Sequence, residues 1–358
     1  MSKNILEYAT VELDEEGPSL SIIDQTLLPG KTAILKLTKL EDIWEAIYKL
    51  RVRGAPAIGV AAAIGMYVHS LSLKEEEPSL FFKKYMEASE YLNSSRPTAV
   101  NLSWALKRME EKVKDYYSLH NSPSLQELLP ILKNEALLIK EEDSNICKSL
   151  GEYGITLIKE GYGILTHCNA GSLATSKYGT ATAPMYLAKE RGMDLRVYCD
   201  ETRPLLQGAR LTSYELSSAG LDVTLLCDNM VSSIMKSGSI NAVFVGCDRV
   251  AANGDVANKI GTSLVALAAK HYNIPFYVFA PSSTIDLNTK SGNDIPIEQR
   301  PPEEVTQLWY KEAMAPEDIK VYNPAFDITD NALITAIVTD KGIVYPPYEL
   351  NLQKILKA

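Results

Sequence analysis

Two stretches of this 358-residue chain place a reactive side chain directly after an apolar run. In Ala242 to Thr262, AVFVGCDRVAANGDVANKIGT, the residues Ala242 to Val245 have the composition of a strand covered on both faces in a parallel sheet. Gly246, Cys247, Asp248 and Arg249 follow. Asp248 therefore stands at a carboxyl strand end, the edge at which open α/β sheets bind ligands, where a carboxyl group can act as an acid. In the second stretch, Thr166-His167-Cys168-Asn169-Ala170-Gly171-Ser172 ends another such run and brings the Cys168 thiol to the same crevice. Alone, a free cysteine is ordinarily a small buried hydrophobe, and an aspartate ordinarily caps a turn or holds an arginine. Together at two strand ends they point to chemistry.

Lys259 and Arg53 are the cations placed to meet a phosphate. Asn253-Gly254-Asp255 reads as a turn, and Asn258-Lys259 precede the apolar helix Leu264 to Ala269, so the lysine adjoins amides that favour an anion. Arg53, Gly54 and Ala55 crowd the amino end of a second helix, Ala57 to Tyr67, whose first turn tolerates Pro56. The loop ETRPLLQGARL, Glu201 to Leu211, offers Arg203, Gln207 and Arg210 to the crevice, and Gln207 suits a neutral sugar hydroxyl. His167 beside Cys168 suggests zinc, but His69, His120 and His271 are scattered without ligand spacing, and we expect no metal. Gly161-Tyr162-Gly163 precedes its strand and no GxGxxG follows one, so no nicotinamide cofactor is expected. The residues describe a phosphate-binding α/β enzyme with a thiol and a carboxylic acid, its reaction open.

The elements that must position these groups fall into two parts. Three short runs, Leu6 to Leu13, Leu20 to Asp24 and Thr32 to Leu37, predict a small antiparallel sheet. Helical spacing follows over Leu40 to Leu50, Phe81 to Leu92, Val100 to Tyr117 and Ser124 to Ile158, the last with a break near Gly151 and Gly154. From Gly161 short strands alternate with helices: Gly163 to Thr166, Leu195 to Cys199, Asp222 to Leu226, Ala242 to Val245 and Phe276 to Phe279. That alternation predicts an α/β chain whose Rossmann-like parallel sheet follows a smaller, mainly helical domain with the antiparallel sheet at its start. We expect the division near Glu142, giving domains 1–142 and 143–358. A helix is expected near Leu333 to Thr339.

Composition bounds the partners. A chain 46% hydrophobic and 23% charged is an ordinary globular one, and a net charge of -9 does not suit wholesale nucleic-acid binding. Cysteines 147, 168, 199, 227 and 247 form no CxxC pair, and without a signal-peptide pattern they lead us to expect reduced thiols and a cytoplasmic location. The apolar run Ala55 to Val68 is short of the roughly 20 residues of a spanning helix and contains Pro56, so no membrane segment is expected.

Five motifs occur in order: RGAPAIG (Arg53 to Gly59), RPTAVNL (Arg96 to Leu102), HCNAGSLAT (His167 to Thr175), ETRPLLQGARLT (Glu201 to Thr212) and GCDRVAANGDVANKIGT (Gly246 to Thr262). On them the chain resembles the methylthioribose-1-phosphate isomerase family from about Leu20 to Tyr345. The same superfamily holds 5-deoxyribose 1-phosphate isomerases, archaeal ribose-1,5-bisphosphate isomerases and regulatory subunits of initiation factor 2B. The resemblance implies that Asp248 is the proton donor and Cys168 its partner. It places Arg53, Gly54, Ala55, Arg96, Gln207, Asn258 and Lys259 against the substrate. It further implies a homodimer without cofactor that isomerises a sugar phosphate in methionine salvage. The alternatives are isomerisation of 5-deoxyribose 1-phosphate and a non-catalytic sensing subunit, which would not be expected to keep both Cys168 and Asp248.

The chemistry explains the choice of groups. Phosphate on the anomeric oxygen blocks ring opening as a free hemiacetal, so the ring oxygen must leave C1 with acid help. A carboxylic acid kept neutral in an apolar pocket would supply the proton, and we expect Asp248 to occupy one.

Overall fold

In the computed structural model, which describes residues 4–74, 77–97 and 100–357, the chain divides into two units. One comprises Met1–Cys147 with Ser172–Gly179, the other Lys148–Gly171 with Thr180–Ala358. Strands β1 (Val11–Asp14), β2 (Ser19–Ile23) and β3 (Ile34–Leu37) pair antiparallel as expected, Val11 opposite Ile22 and Ile22 opposite Leu35. The helices that follow are α1 (Leu40–Tyr48), α2 (Ala55–Ser72), α3 (Pro78–Asn93), α4 (Val100–Leu119) and α5 (Leu125–Ile155). Glu142, the expected division, lies inside α5, which runs through the change of unit at Cys147. Thr98 and Ala99 of the RPTAVNL motif lie outside the described residues.

Helix α2 is the centre of the first unit. Its length and mean hydropathy of 1.3 would suffice to cross a membrane, yet every residue from Ala57 to Val68 is buried inside this unit. Each of its larger side chains, such as Ile58, Ile64 and Met66, contributes about 1.5–3 kcal/mol by leaving water. Just before it, Arg51 donates to Glu45 at 2.8 and 3.0 Å and to Asp24 at 2.6 Å. Arg51 chiefly, through its hydrogen bonds, holds the Glu45 carboxyl down at about 2. This cluster anchors the chain entering Arg53-Gly54-Ala55.

In the second unit, β4 (Gly163–Thr166), α6 (Ala183–Glu190), β5 (Arg196–Asp200), α7 (Ser213–Ser218), β6 (Asp222–Leu226), α8 (Val231–Lys236) and β7 (Ala242–Val245) alternate as expected. Next come β8 (Arg249–Ala251), β9 (Val256–Lys259), α9 (Thr262–His271), β10 (Phe276–Phe279), β11 (Ile285–Asp286) and α10 (Glu303–Thr306). The chain closes with β12 (Phe326–Thr329), β13 (Ala336–Thr339), β14 (Gly342–Val344) and α11 (Tyr348–Lys357). Among the described residues the main sheet has the order β14-β13-β10-β7-β4-β5-β6, parallel except for β14. A smaller sheet, β11-β8-β9-β12, stands beyond the end of β7.

Two expectations are corrected here. The helix foreseen at Leu333 to Thr339 is mostly strand: Ala336–Thr339 is buried throughout, and Ala336 to Val338 pair with Tyr277 to Phe279 of β10. The β-branched run Ile337-Val338-Thr339 suits that position. The break foreseen at Gly151 and Gly154 is absent, since α5 continues through both. A Cβ at Gly154 would lie 2.3 Å from Pro184 Cγ and 2.5 Å from Phe279 Cε1, so this glycine serves a close approach of the helix to the sheet.

Candidate active site

Strands β4 and β7 are neighbours, and the chain leaves β4 towards β5 and β6 on one side before returning to β7 on the other. Their carboxyl ends thus flank the topological switch point, where such sheets open a crevice. Cys168 lies just past the end of β4 and Asp248 just past the end of β7, as the sequence led us to expect.

Cys168 is buried and held in a left-handed conformation, with φ 63°. Its amide donates to Thr202 Oγ1 at 2.9 Å, and its carbonyl accepts from Thr212 Oγ1 at 2.6 Å. Thr202 and Leu206, in the loop after β5, also have positive φ, 64° and 56°. Each such non-glycine residue costs on the order of 1–3 kcal/mol, and their clustering at one sheet edge is typical of functional sites. A π-helix, Gly208–Thr212, follows directly, another frequent mark of such places.

His167, set aside above as a zinc ligand, has a definite place. Thr166 stands opposite Cys199 in the β4–β5 ladder, so the following residues, His167 and Asp200, come side by side. His167 Nδ1 is 3.0 Å from Asp200 Oδ2, and Nε2 is 2.9 Å from the Ile260 carbonyl oxygen. Ligand atoms of His167, Asp200 and Asp228 lie within 4.8 Å of one another. Asp228, however, already accepts the amides of Thr202 at 2.8 Å and Arg203 at 2.7 Å, and both imidazole nitrogens are engaged. The grouping is a hydrogen-bonded one. Sequence reasoning missed Asp200, Thr202 and Asp228 because their partners are tens of residues away, and the strand-end position of Asp200 was the available signal.

Asp248 is exposed, contrary to the apolar pocket expected for it. Its amide donates to Ala257 at 3.0 Å, which ties it to the β8–β9 hairpin that turns at Asn253-Gly254-Asp255. Asn258 and Lys259 are the last residues of β9. Asn258 is buried and donates to Thr262 Oγ1 at 3.1 Å. Lys259 Nζ donates to the Ala325 carbonyl at 2.9 Å and lies 4.4 Å from the centre of the Phe326 ring. The anion expected at the amino end of α9 is supplied by the protein itself. Asp327 accepts the Gly261 amide at 2.8 Å, the Ser263 amide at 3.2 Å and Ser263 Oγ at 2.9 Å, so a phosphate at those amides is overturned. Burial pushes the Asp327 carboxyl up and these donors pull it back, with a net rise.

Gln207 stands just before the π-helix, 5% exposed, and its Oε1 is buried without a hydrogen-bond partner. An unsatisfied buried acceptor costs about 1–3 kcal/mol, which a donor from a ligand would recover. In Arg203 and Arg210 the guanidinium groups rest on aromatic rings, 5.7 Å from Tyr310 and 4.7 Å from Trp309.

Arg53, Gly54, Ala55 and Arg96 belong to the first unit. Gly54 caps α2 with φ 90°, and a Cβ there would lie 2.4 Å from the Ala174 carbonyl oxygen of the same unit. Gly54 has no side chain with which to cap α2, whereas Asp327 accepts the amides at the start of α9. Arg96 follows α3 and is half-buried. The structure therefore gathers Cys168, Gln207, Asp248, Asn258 and Lys259 at one edge of the second unit, and the four others in the first.

Comparison with known proteins adds an independent line. The model of the Initiation factor 2 subunit family matches residues 51–346. The chain is 57% identical over 347 residues to a methylthioribose-1-phosphate isomerase of Symbiobacterium thermophilum, covering 97% of this chain and 96% of that protein. It is 54% identical over 354 residues to a 5-deoxyribose 1-phosphate isomerase of Clostridium botulinum, covering 98% and 99%. The crystal structure of 5-methylthioribose 1-phosphate isomerase from Pyrococcus horikoshii OT3 is similar with a TM-score of 0.90 at 44% identity, over 98% of this chain and 96% of that one.

Proposed function

The chain belongs to the initiation factor 2 subunit family, and we propose that within it this protein is an aldose–ketose isomerase converting 5-methylthioribose 1-phosphate to 5-methylthioribulose 1-phosphate in methionine salvage. The observation that carries the reading is the placement of Cys168 and Asp248 at the two strand ends flanking the switch point. Asp248 protonates the ring oxygen as it leaves C1. Because this carboxyl is exposed, a sugar bound over it would have to supply the desolvation that favours the protonated form. Hydrogen then moves from C2 to C1, as a proton through an enediol with Cys168 as base or directly as a hydride.

Gln207 Oε1 receives a sugar hydroxyl, and Asn258 orders the turn after β9. In the second unit Lys259 is the cation suited to a phosphate; in the first, Arg53, Gly54, Ala55 and Arg96 are the residues that the family resemblance sets against substrate. We place the enzyme in the cytoplasm as a homodimer, a reading supported by its cysteines, which form no disulfide, and by the exposed Leu264 and Leu267 on α9.

The 5-deoxyribose 1-phosphate isomerase at 54% identity favours a second substrate. The two sugars differ at C5, a thioether against a methyl group, and apolar contacts discriminate by roughly 1 to 3 kcal/mol per group. Both should therefore be isomerised, with kcat/KM favouring the methylthio sugar by roughly 10- to 200-fold. NMR of the purified protein with each aldose 1-phosphate tests this by the appearance of a ketose. Deuterium entering C1 from heavy water marks the enediol route. A preference for 5-deoxyribose 1-phosphate assigns the paralogous activity, and no ketose from either sugar makes the chain a sensing subunit.

A further inference from the structure

His167 and Asp200 take no part in the scheme above, yet they are 1% and 0% exposed at its centre. A carbonyl oxygen only accepts, so His167 Nε2 must carry a proton for Ile260, and Nδ1 faces a carboxyl oxygen at 3.0 Å. A second proton therefore lies between Nδ1 and Asp200, giving the pair no net charge. We infer that His167 and Asp200 keep this proton throughout the working range and that the pair so held is a positioning device for Cys168 and for the β9–α9 turn bearing Asn258 and Lys259.

Three links carry the effect. The Asp200 carbonyl accepts from Thr202 Oγ1 at 3.1 Å, and that oxygen accepts the Cys168 amide, so the end of β5 sets the strained backbone of the thiol residue. The ring belongs to the residue before Cys168. Its far nitrogen grips the carbonyl of Ile260, the residue after Lys259. One imidazole thus ties together the loops after β4, β5 and β9.

The surroundings keep the proton in place. Asp228 bears on both members of the pair, Glu201 on Asp200, and Asp327 on His167, while the neighbouring Cys199 thiol is pushed up by burial. Losing the proton would add a negative charge to an already acidic ring. Burial, the largest single influence, would lower the imidazole, but the hydrogen bond and charge of Asp200, the charge of Asp228 and the bond to Ile260 together raise it, and burial raises Asp200 as well.

Nitrogen-15 NMR of the His167 ring in the full chain, from about pH 6 to about pH 9, reads the proton directly. We expect protonation at Nε2 and a shared proton at Nδ1 that do not change over this range. A ring titrating near its ordinary value of about 6.5 overturns the inference.

Turnover supplies a second arm, which rests on the isomerase reading. Asp200→Asn can donate an amide proton to the Nδ1 of a neutral ring. It should show a single Nε2–H tautomer and keep kcat within about tenfold of wild type, the small end of what outer partners contribute. His167→Gln reaches one acceptor of the two and should lower kcat by roughly 100-fold, as a misplacement of about 1 Å does. An Asp200→Asn enzyme as slow as Asp200→Ala overturns the positioning role, as does an undiminished His167→Gln enzyme. Should His167→Gln not fold, the ring signals and Asp200→Asn still decide. Should the wild type turn over neither sugar, the isomerase reading fails while the ring measurement stands.

Discussion

Asp327 accepts the backbone amide of Gly261 at 2.8 Å, so the amino end of α9 carries a protein carboxylate where a sugar phosphate was expected. The antiparallel ladder of β9 and β12 sets Asp327 opposite Asn258, within reach of the turn that starts the helix. Asp327→Ala should lower unfolding free energy by about 1–3 kcal/mol, because it strands the amides of Gly261 and Ser263. Inorganic phosphate should restore part of the loss by occupying the vacated helix end. A denaturation midpoint equal to wild type would show that Asp327 does not cap the helix.

Asp248→Asn should reduce kcat by roughly 100- to 10,000-fold, the range for loss of a general acid. As Asp248 is exposed, the variant should unfold at the wild-type midpoint. Turnover within about threefold of wild type, well below that range, would remove Asp248 from the chemistry.

Cys168→Ser keeps the size and the left-handed backbone but replaces a thiol with a far poorer base. Its kcat should fall strongly while KM changes little. Full activity in steady-state assays would reduce Cys168 to a packing residue.

Gln207→Met removes a buried acceptor that has no partner, so stability should hold or rise. KM should increase by roughly tenfold, the equivalent of one hydrogen bond of about 1.4 kcal/mol. Thermal melts and kinetics on one preparation separate the two effects. A lower melting temperature with unchanged KM would make Gln207 structural.

Asp255 carries the pH dependence of the β8–β9 turn. It accepts from Asn253 Nδ2 at 2.8 Å, from the Gly292 amide at 3.0 Å, and from the Asn331 amide and Nδ2 at 3.0 and 2.9 Å. Burial would raise its carboxyl, but these donors outweigh burial and hold it below the usual range. A depressed carboxyl adds stability above its unfolded value of about 3.9 and loses it as the pH falls through the folded value. Between about pH 5 and about pH 2, wild type should lose stability faster than Asp255→Asn. Parallel pH profiles in urea titrations would count against this.

Much of the molecule follows from local pattern. The runs at Gly163, Asp222, Ala242 and Phe276 are four or five residues long, apolar or β-branched, and their alternation with helices dictates a parallel sheet. Parallel strands put every carboxyl end on one edge, so Cys168 and Asp248 were placed by their distance from a strand end alone. Tertiary structure decided what depends on neighbours remote in the chain. Gly154 suggested a helix break because its sequence does not show Pro184 and Phe279 pressing against it. Ala336–Thr339 became a strand because β10 lay open beside it. The partners of His167 and of the α9 amides, Asp200 and Asp327, are 33 and 66 residues distant from them. A backbone amide or a buried imidazole takes whichever acceptor the ladder register brings within about 3 Å, and register is a property of paired strands, not of either alone.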